Sequence, residues 1–317
     1  MTKYIEDLKN ELNKHHLREQ DIEDIIQDHK EMIQNAMNEG LSEEEMLKRF
    51  GNPKELAEEL ASFSSKEVEP LIIPGNYQIW KKFSMNDGDI SLKISLIDED
   101  IKVAASKNNE LSVYYSGKED ISKYNCSFEN LSFILEAPKA KGFLFSKPSH
   151  QDISFIIEIP VNQIIASLNL NAVSSDIQLN FMKAKSLVIS TTSGDVLVDN
   201  CQFGETKWNT VSGDITSRDV SFENLLSSQV SGDLVFNKAK ITQLFKLNTV
   251  SGDITIEDVH CDECHLQTVS GDLNGKEFYP NSITLKSVSG DMMIKNSQHT
   301  DITIKKSSVS GEINIQN

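Results

Sequence analysis

The sequence predicts an α+β protein in two parts, a small N-terminal helical bundle and a C-terminal β-solenoid with coils of about 19 residues. Three observations predict it. Apolar residues fall at helical spacing through residues 1–65, and at two-residue spacing from Tyr77 onward. Between Ser174 and Ser310 a short corner motif then recurs eight times.

Ser-Gly-Asp begins at Ser193, Ser212, Ser231, Ser251, Ser270 and Ser289, with a Ser-Ser-Asp variant at Ser174 and Ser-Gly-Glu at Ser310. The intervals are 19, 19, 19, 20, 19, 19 and 21 residues. Aligned on the serine, the units give apolar columns. The residue before it is Val173, Thr192, Val211, Val230, Val250, Val269, Val288 or Val309. Three residues after it come Ile177, Val196, Ile215, Leu234, Ile254, Leu273, Met292 and Ile313. Further apolar columns fall five, eight, ten, thirteen and fifteen residues after the serine. Short strands broken by turns satisfy this pattern, and a helix does not. Coils stacked about 4.8 Å apart would make each column a buried ladder.

The corner residues themselves are Ser193, Gly194, Asp195; Ser212, Gly213, Asp214; Ser231, Gly232, Asp233; Ser251, Gly252, Asp253; Ser270, Gly271, Asp272; and Ser289, Gly290, Asp291. Glycine frees the backbone at a turn, and Ser and Asp side chains cap nearby amides. Stacked aspartates raise a second reading, a cation site, although calcium rolls use a shorter and more glycine-rich repeat.

In the helical part, Tyr4, Ile5, Leu8 and Leu12 form one stripe. Ile22, Ile25, Ile26, His29, Met32, Ile33 and Met37 form a longer one. Gly40 marks a helix end, and Ser42 with Glu45 makes a capping box. Phe50-Gly51 closes that helix. Asn52-Pro53 opens the next, with Asn as cap and Pro in the first turn. The expected boundaries are 1–65 for the helical module, 66–76 for a linker with Pro70, Pro74 and Gly75, 77–172 for irregular β coils, and 173–317 for the repeats.

Within the irregular coils, Ile79, Ile90, Leu92, Ile94 and Leu96 mark strands, and Gly88 a tight turn. The segment Lys139, Lys141, Phe143, Leu144, Phe145, Lys147 carries large apolar residues between lysines. It reads either as a loop tip touching an anionic membrane or as a hairpin strand with its phenylalanines in the core.

Net charge is -17, which argues against non-specific nucleic-acid binding. Arginine occurs only as Arg18, Arg49 and Arg218, too few for a site that grips phosphate or carboxylate bidentately. Cys261-Asp262-Glu263-Cys264-His265 matches the C-x-x-C-H pattern of haem attachment, and His260 adds a candidate metal ligand. Column alignment opposes that reading. Cys261 shares a column with Phe203, Phe222 and Ile241, and Cys264 one with Leu225, Leu244 and Ile283, so both thiols are expected in the core and both histidines outside. The outward column Gln178, Leu197, Thr216, Val235, Thr255, Asn274, Met293, Asn314 repeats no acid–base set. No catalytic residue, metal or cofactor is assigned, and the reading is non-enzymatic. Leu197, Val235 and Met293 suggest an apolar patch.

Without an apolar leader or a membrane-length apolar run, the chain reads as cytoplasmic. It ends right after the eighth unit, so either end-to-end dimerisation or docking of the helical module over the open edge is expected.

The run from Gly40 to Glu45, followed by Phe50-Gly51-Asn52-Pro53-Lys54-Glu55-Leu56-Ala57, resembles HAAS-type helical domains, which in Firmicutes often accompany PadR-type regulators. The Val-Ser-Gly-Asp-Ile unit at Val211–Ile215 and its copies resemble the adhesin-type β-repeat family over roughly 77–317. Their combination resembles LiaX-type envelope-stress proteins of Firmicutes. That resemblance implies antimicrobial-peptide sensing or restraint of a LiaFSR-type response, with cell-surface association and a protein or envelope component as partner. The alternative is a surface adhesin or scaffold that binds glycan or protein through a solenoid face.

Overall fold

The structure is a computed structural model that describes residues 2–14, 22–23, 25–27, 29–30, 33, 51–54, 56–57, 71–85, 88–118, 120–138 and 153–316. The chain divides into two compact units, Met1–Glu69 and Pro70–Asn317.

The first unit contains the helix Thr2–Lys14. Its Tyr4, Leu8 and Leu12 recur every four residues and so share one face, which packs with Ile22, Ile26, Ile33 and Ala57 in an apolar cluster. His29 is buried, its Nδ1 2.9 Å from the Ile25 carbonyl oxygen. Asn52 caps a helical turn as its sequence position predicts. Its side-chain oxygen accepts the Lys54 amide at 2.9 Å, and its carbonyl accepts the Leu56 amide at 2.9 Å. Gly40, the Ser42–Glu45 box and Phe50 lie outside the described residues.

The second unit is the β-solenoid. Each regular coil runs down one short strand and back along a longer stretch, as in Val196–Asp199 followed by Gln202–Thr210. Consecutive coils pair in parallel. Val196–Asp199 lies between Ile177–Asn180 and the start of Ile215–Gln229, and Gln202–Thr210 lies between Lys183–Thr191 and the rest of Ile215–Gln229. The register then continues through Leu234–Asn248, Ile254–Gln267 and Leu273–Ser287 to Thr303–Ser308, and through Met292–Lys295 to Ile313–Gln316.

Strict alternation would place every second residue inside, but a closed coil must turn. In the unit starting at Ser212, Ile215 and Ser217 are buried, then Val220 and Phe222, then Leu225, Ser227 and Gln229. Two outward residues in a row separate these groups and make the bends. The first bend uses a left-handed residue at the same place in six coils: Phe181, Asn200, Asp219, Lys238, Asp258 and Glu277, with φ between 52° and 56°. The second lies near Glu223. The 20-residue unit takes up its extra residue there, because the register shifts between Ile241 and Leu244 while Thr242 and Gln243 are exposed. The third bend is the Ser-Gly-Asp corner.

The inner columns stack into one core from Ile90 to Ile294. Trp208 is fully buried at its centre, stacked on Phe236 at 6.1 Å and edge-on to Phe222 at 5.6 Å.

Chain order and stacking order part company at the other end of the solenoid. The coil Ile90–Ser95/Asp100–Ser106 lies between Ile165–Asn171/Ile177–Asn180 on one side and Ser132–Glu136/Ser154–Pro160 on the other. Antiparallel strands then close the stack: Asn125–Glu129 on Ser132–Glu136, Glu110–Ser116 on Ser154–Pro160, and Gln78–Ser84 on Glu110–Ser116. In Gln78–Ser84 a bulge between Ile79 and Lys81 turns Ile79 to solvent, so Trp80 and Phe83 supply the half-buried contacts instead.

Two column assignments need correction. The column preceding the serine is not a buried ladder: Val173, Val211, Val230, Val250, Val269 and Val288 are 40–50% exposed, and Val309 is 81% exposed. The reason is parity. Trp208 points inward, so Thr210 does too and Val211 must point out. Leu244 does not share the Cys264 column either. The inserted residue moves Phe245 into it, and Leu244 pairs with Glu263.

Candidate functional site

The corner is built from a five-residue pattern whose side chains alternate in purpose. Its first residue points inward and is polar: Thr191, Thr210, Gln229, Thr249, Thr268 and Ser287 are all buried. Five of the six bond the backbone of the corners, and the Thr210 hydroxyl is buried without a partner. Thr249 and Thr268 accept the amides of Gly252 and Gly271 at 3.2 and 2.9 Å, and Ser287 donates to the Gly290 carbonyl at 2.6 Å. A buried hydroxyl with such a partner avoids the desolvation cost of an unpaired one. This inner column gives no signal in the apolar periodicity of the sequence, because its members are polar although buried.

The valine follows on the outside. The serine's amide and, in most coils, its hydroxyl both donate to the carbonyl of the valine one coil earlier. For Ser270 these distances to Val250 are 2.9 and 3.1 Å. Glycine comes next, pressed against the previous coil. A Cβ on Gly213, whose φ is +112°, would sit 2.2 Å from the Gly194 carbonyl oxygen.

The aspartate then reaches along the stack. Asp195 accepts the Asp214 amide, Asp214 that of Asp233, Asp233 that of Asp253, Asp253 that of Asp272, and Asp272 that of Asp291, at 2.8–3.0 Å. Asp291 receives the Glu312 amide at 2.8 Å, and Asp176 that of Asp195. One carboxylate oxygen of each is therefore engaged in holding the next coil.

The ladders extend one coil beyond the recognisable motif. Ile97-Asp98-Glu99-Asp100 takes the place of Val-Ser-Gly-Asp: the Ser174 amide donates to the Ile97 carbonyl at 2.6 Å, and the Asp176 amide to the Asp100 carboxylate at 2.9 Å. Asp100 and Asp176 are 76 residues apart in sequence. Only the flanking pattern, an aliphatic residue followed three later by Asp-Ile, could have pointed to this unit. Glu99 stands where glycine would and is 1% exposed. Its carboxylate accepts the amides of Ile97 and Asp98 at 2.7 and 3.2 Å and the Tyr124 hydroxyl at 2.5 Å. Partial burial raises Asp100 above the usual carboxylate value; the Asp176 amide pulls it down and the Asp176 charge pushes it up.

The result is two parallel outer ladders on one corner. One is aliphatic, from Ile97 through the valines to Val309, with Thr192 as its single polar member. The other is acidic, from Asp100 through the aspartates to Glu312, and every member is exposed. Among the described residues, none of the nine acids is in an ion pair. At about 4.8 Å per coil the corner is about 38 Å long.

The other sequence-picked groups do not join it. Cys261 and Cys264 are buried, while His260 is exposed and stacks on Tyr279 at 5.2 Å, and the His265 Nε2 lies 2.8 Å from Glu263. Burial pushes the Cys264 thiol well up, and the Cys126 and Cys201 thiols up to about 12. Among the described residues no set of three or more His, Cys, Asp or Glu side chains is grouped to hold a metal ion. Leu197 and Val235 are half-buried, and Met293 is 41% exposed on the flat face. Lys139, Lys141, Phe143, Leu144, Phe145 and Lys147 lie outside the described residues.

Residues 89–317 match the Toastrack DUF4097 family. The chain belongs to that family. Residues 3–59 match HAAS. No curated protein matches the chain. Among solved structures, a candidate lipid-binding protein from Parabacteroides distasonis is 15% identical, with 77% of this chain and 98% of that one covered and a TM-score of 0.50. A candidate adhesin from the same organism is 13% identical over 77% and 98%, with a TM-score of 0.49. A candidate adhesin from Bacteroides fragilis is 13% identical over 76% and 98%, with a TM-score of 0.46. At 15% identity the likeness to the first of these is one of fold. Among the described residues no helix of the toastrack chain is long and apolar enough to cross a membrane.

Proposed function

We propose that this toastrack protein is a non-enzymatic binding and regulatory component of a bacterial cell-envelope stress response, one that senses antimicrobial peptides or restrains a LiaFSR-type system. The observation that carries the reading is the corner itself: a long, regular, solvent-facing aliphatic and acidic edge suits recognition and carries no acid–base pair arranged for turnover. The solved structures of similar fold that are named as candidate adhesins and a candidate lipid-binding protein support a binding role.

The test is deletion of the gene in a strain carrying a LiaFSR-dependent reporter, measured with and without a cationic antimicrobial peptide. Deletion is expected to change the basal or the peptide-induced signal severalfold. Unchanged signals in both conditions would sink the reading.

A second reading rests on the flat face, where Leu197, Val235 and Met293 share an outward column. There the protein would act as an adhesin or scaffold for a glycan or protein. Replacing Met293 and Val235 with serine should then reduce binding to intact cells, and retention of full binding removes this reading.

A further inference from the structure

The two ladders specify the chemistry of what covers them. A ligand must present an apolar strip and a cationic strip side by side, both continuing for several coils. Its own repeat must also keep step with the stack. An extended chain laid along the edge places same-side residues about 6.8 Å apart, out of step with coils about 4.8 Å apart. An α-helix turns once every 5.4 Å or so, close enough to stay in register with such coils for three or four turns. A helix with aliphatic residues three and four apart, and lysines or arginines along one flank, therefore meets valine on one side and aspartate on the other.

Other occupants fit less well. A second copy would set aspartate ladder against aspartate ladder, and the chain's own helical unit carries sixteen acidic against nine basic residues in 1–66. An anionic lipid surface would be repelled by the same nine acids.

We infer that the edge from Ile97 to Glu312 is a docking site for a cationic amphipathic helical peptide taken from solution, seated with its apolar face on the valines Val211 to Val288 and its basic flank on Asp214 to Asp291. This rests on the peptide-sensing form of the function proposed above and gives that function a place on the molecule.

The fold supplies its own conservative variants. Thr192 already occupies the valine column, so Val→Thr keeps shape and removes apolarity. Asn keeps the oxygen that accepts the next coil's amide and removes the charge. The experiment is fluorescence anisotropy with the full chain and a labelled leucine–lysine peptide of helical period, about 20 residues long. Its controls are a leucine–glutamate peptide of the same pattern and a leucine–lysine peptide of strictly alternating pattern. The helical cationic peptide should bind at least about tenfold tighter than either control, and binding should weaken as salt rises.

The triple variant V230T/V250T/V269T should lose about tenfold in affinity, and D233N/D253N/D272N should lose as much together with most of the salt dependence. Circular dichroism melts should leave both variants folded. If a triple variant does not fold, V250T or D253N alone should still lower affinity twofold or more. Binding by wild type that is unchanged in the folded variants overturns the ladder site while leaving peptide sensing in place. Binding by wild type no tighter than to the leucine–glutamate control overturns both.

Discussion

Two corners stand in the same line of the solenoid and are built by different chemistry. At Val211–Asp214 the turn is held by a repeating device: a glycine pressed on the previous glycine's carbonyl, and a carboxylate that takes the next coil's amide. At Ile97–Asp100 the glycine is gone. A single buried carboxylate, Glu99, gathers two amides and a tyrosine hydroxyl to do the same work. Both corners present an aliphatic residue and an acid outward at the same two places. The outer pattern is thus kept even where the inner construction changes, which separates what the corner needs for folding from what it displays.

Mutations can press on that difference. The largest effect should come from the core shared by the regular coils. Trp208→Ala removes a fully buried indole between Phe222 and Phe236 and is expected to cost about 4 kcal/mol, whereas Trp80→Ala, on a half-buried strand of the irregular end, should cost about 1–2 kcal/mol. Urea unfolding of both variants checks this, and equal costs would mean that the irregular end is as tightly packed as the repeats.

Gly213→Ala should cost about 3 kcal/mol, since it combines a left-handed backbone with a Cβ set against a carbonyl. Glu99→Ala should cost about 2–3 kcal/mol by stranding two amides and the Tyr124 hydroxyl. If Glu99→Ala melts like wild type, the buried carboxylate is not what holds its corner.

The smallest effects belong to the acidic ladder. Asp253→Ala leaves the Asp272 amide without its partner and should cost about 1 kcal/mol. Asp253→Asn keeps that partner, and its melting temperature should equal wild type in high salt and exceed it slightly in low salt, where stacked charges repel most. A fall for Asn as large as that for Ala would make the charge itself structural.

Much of this architecture was legible in the sequence. The Ser-Gly-Asp interval and the inner columns are local and periodic, so residues such as Ile215, Phe222 and Leu225 could be placed before any coordinates. The valines read as core by composition, whereas their parity says surface. Counting outward from Trp208 would have shown it. Leu244 was displaced by a one-residue bulge, since alignment on the serines fixes the corners and not where between them an extra residue falls. The Ile97 unit was hidden for a third reason: its partner coil lies 76 residues away in the chain, and the two corners share only an aliphatic residue, an acid and the isoleucine after it.

The bulge at Thr242 and Gln243 has a consequence for how such molecules vary. Each coil touches only its neighbours above and below, and a surplus residue can be tucked into an outward bend without disturbing the corner. Gain or loss of one whole coil would therefore lengthen or shorten the displayed edge by one step and leave its chemistry untouched. The length of the edge is then a copy number, adjustable by duplication of a short stretch of gene, while the identity of what is displayed stays fixed in the motif.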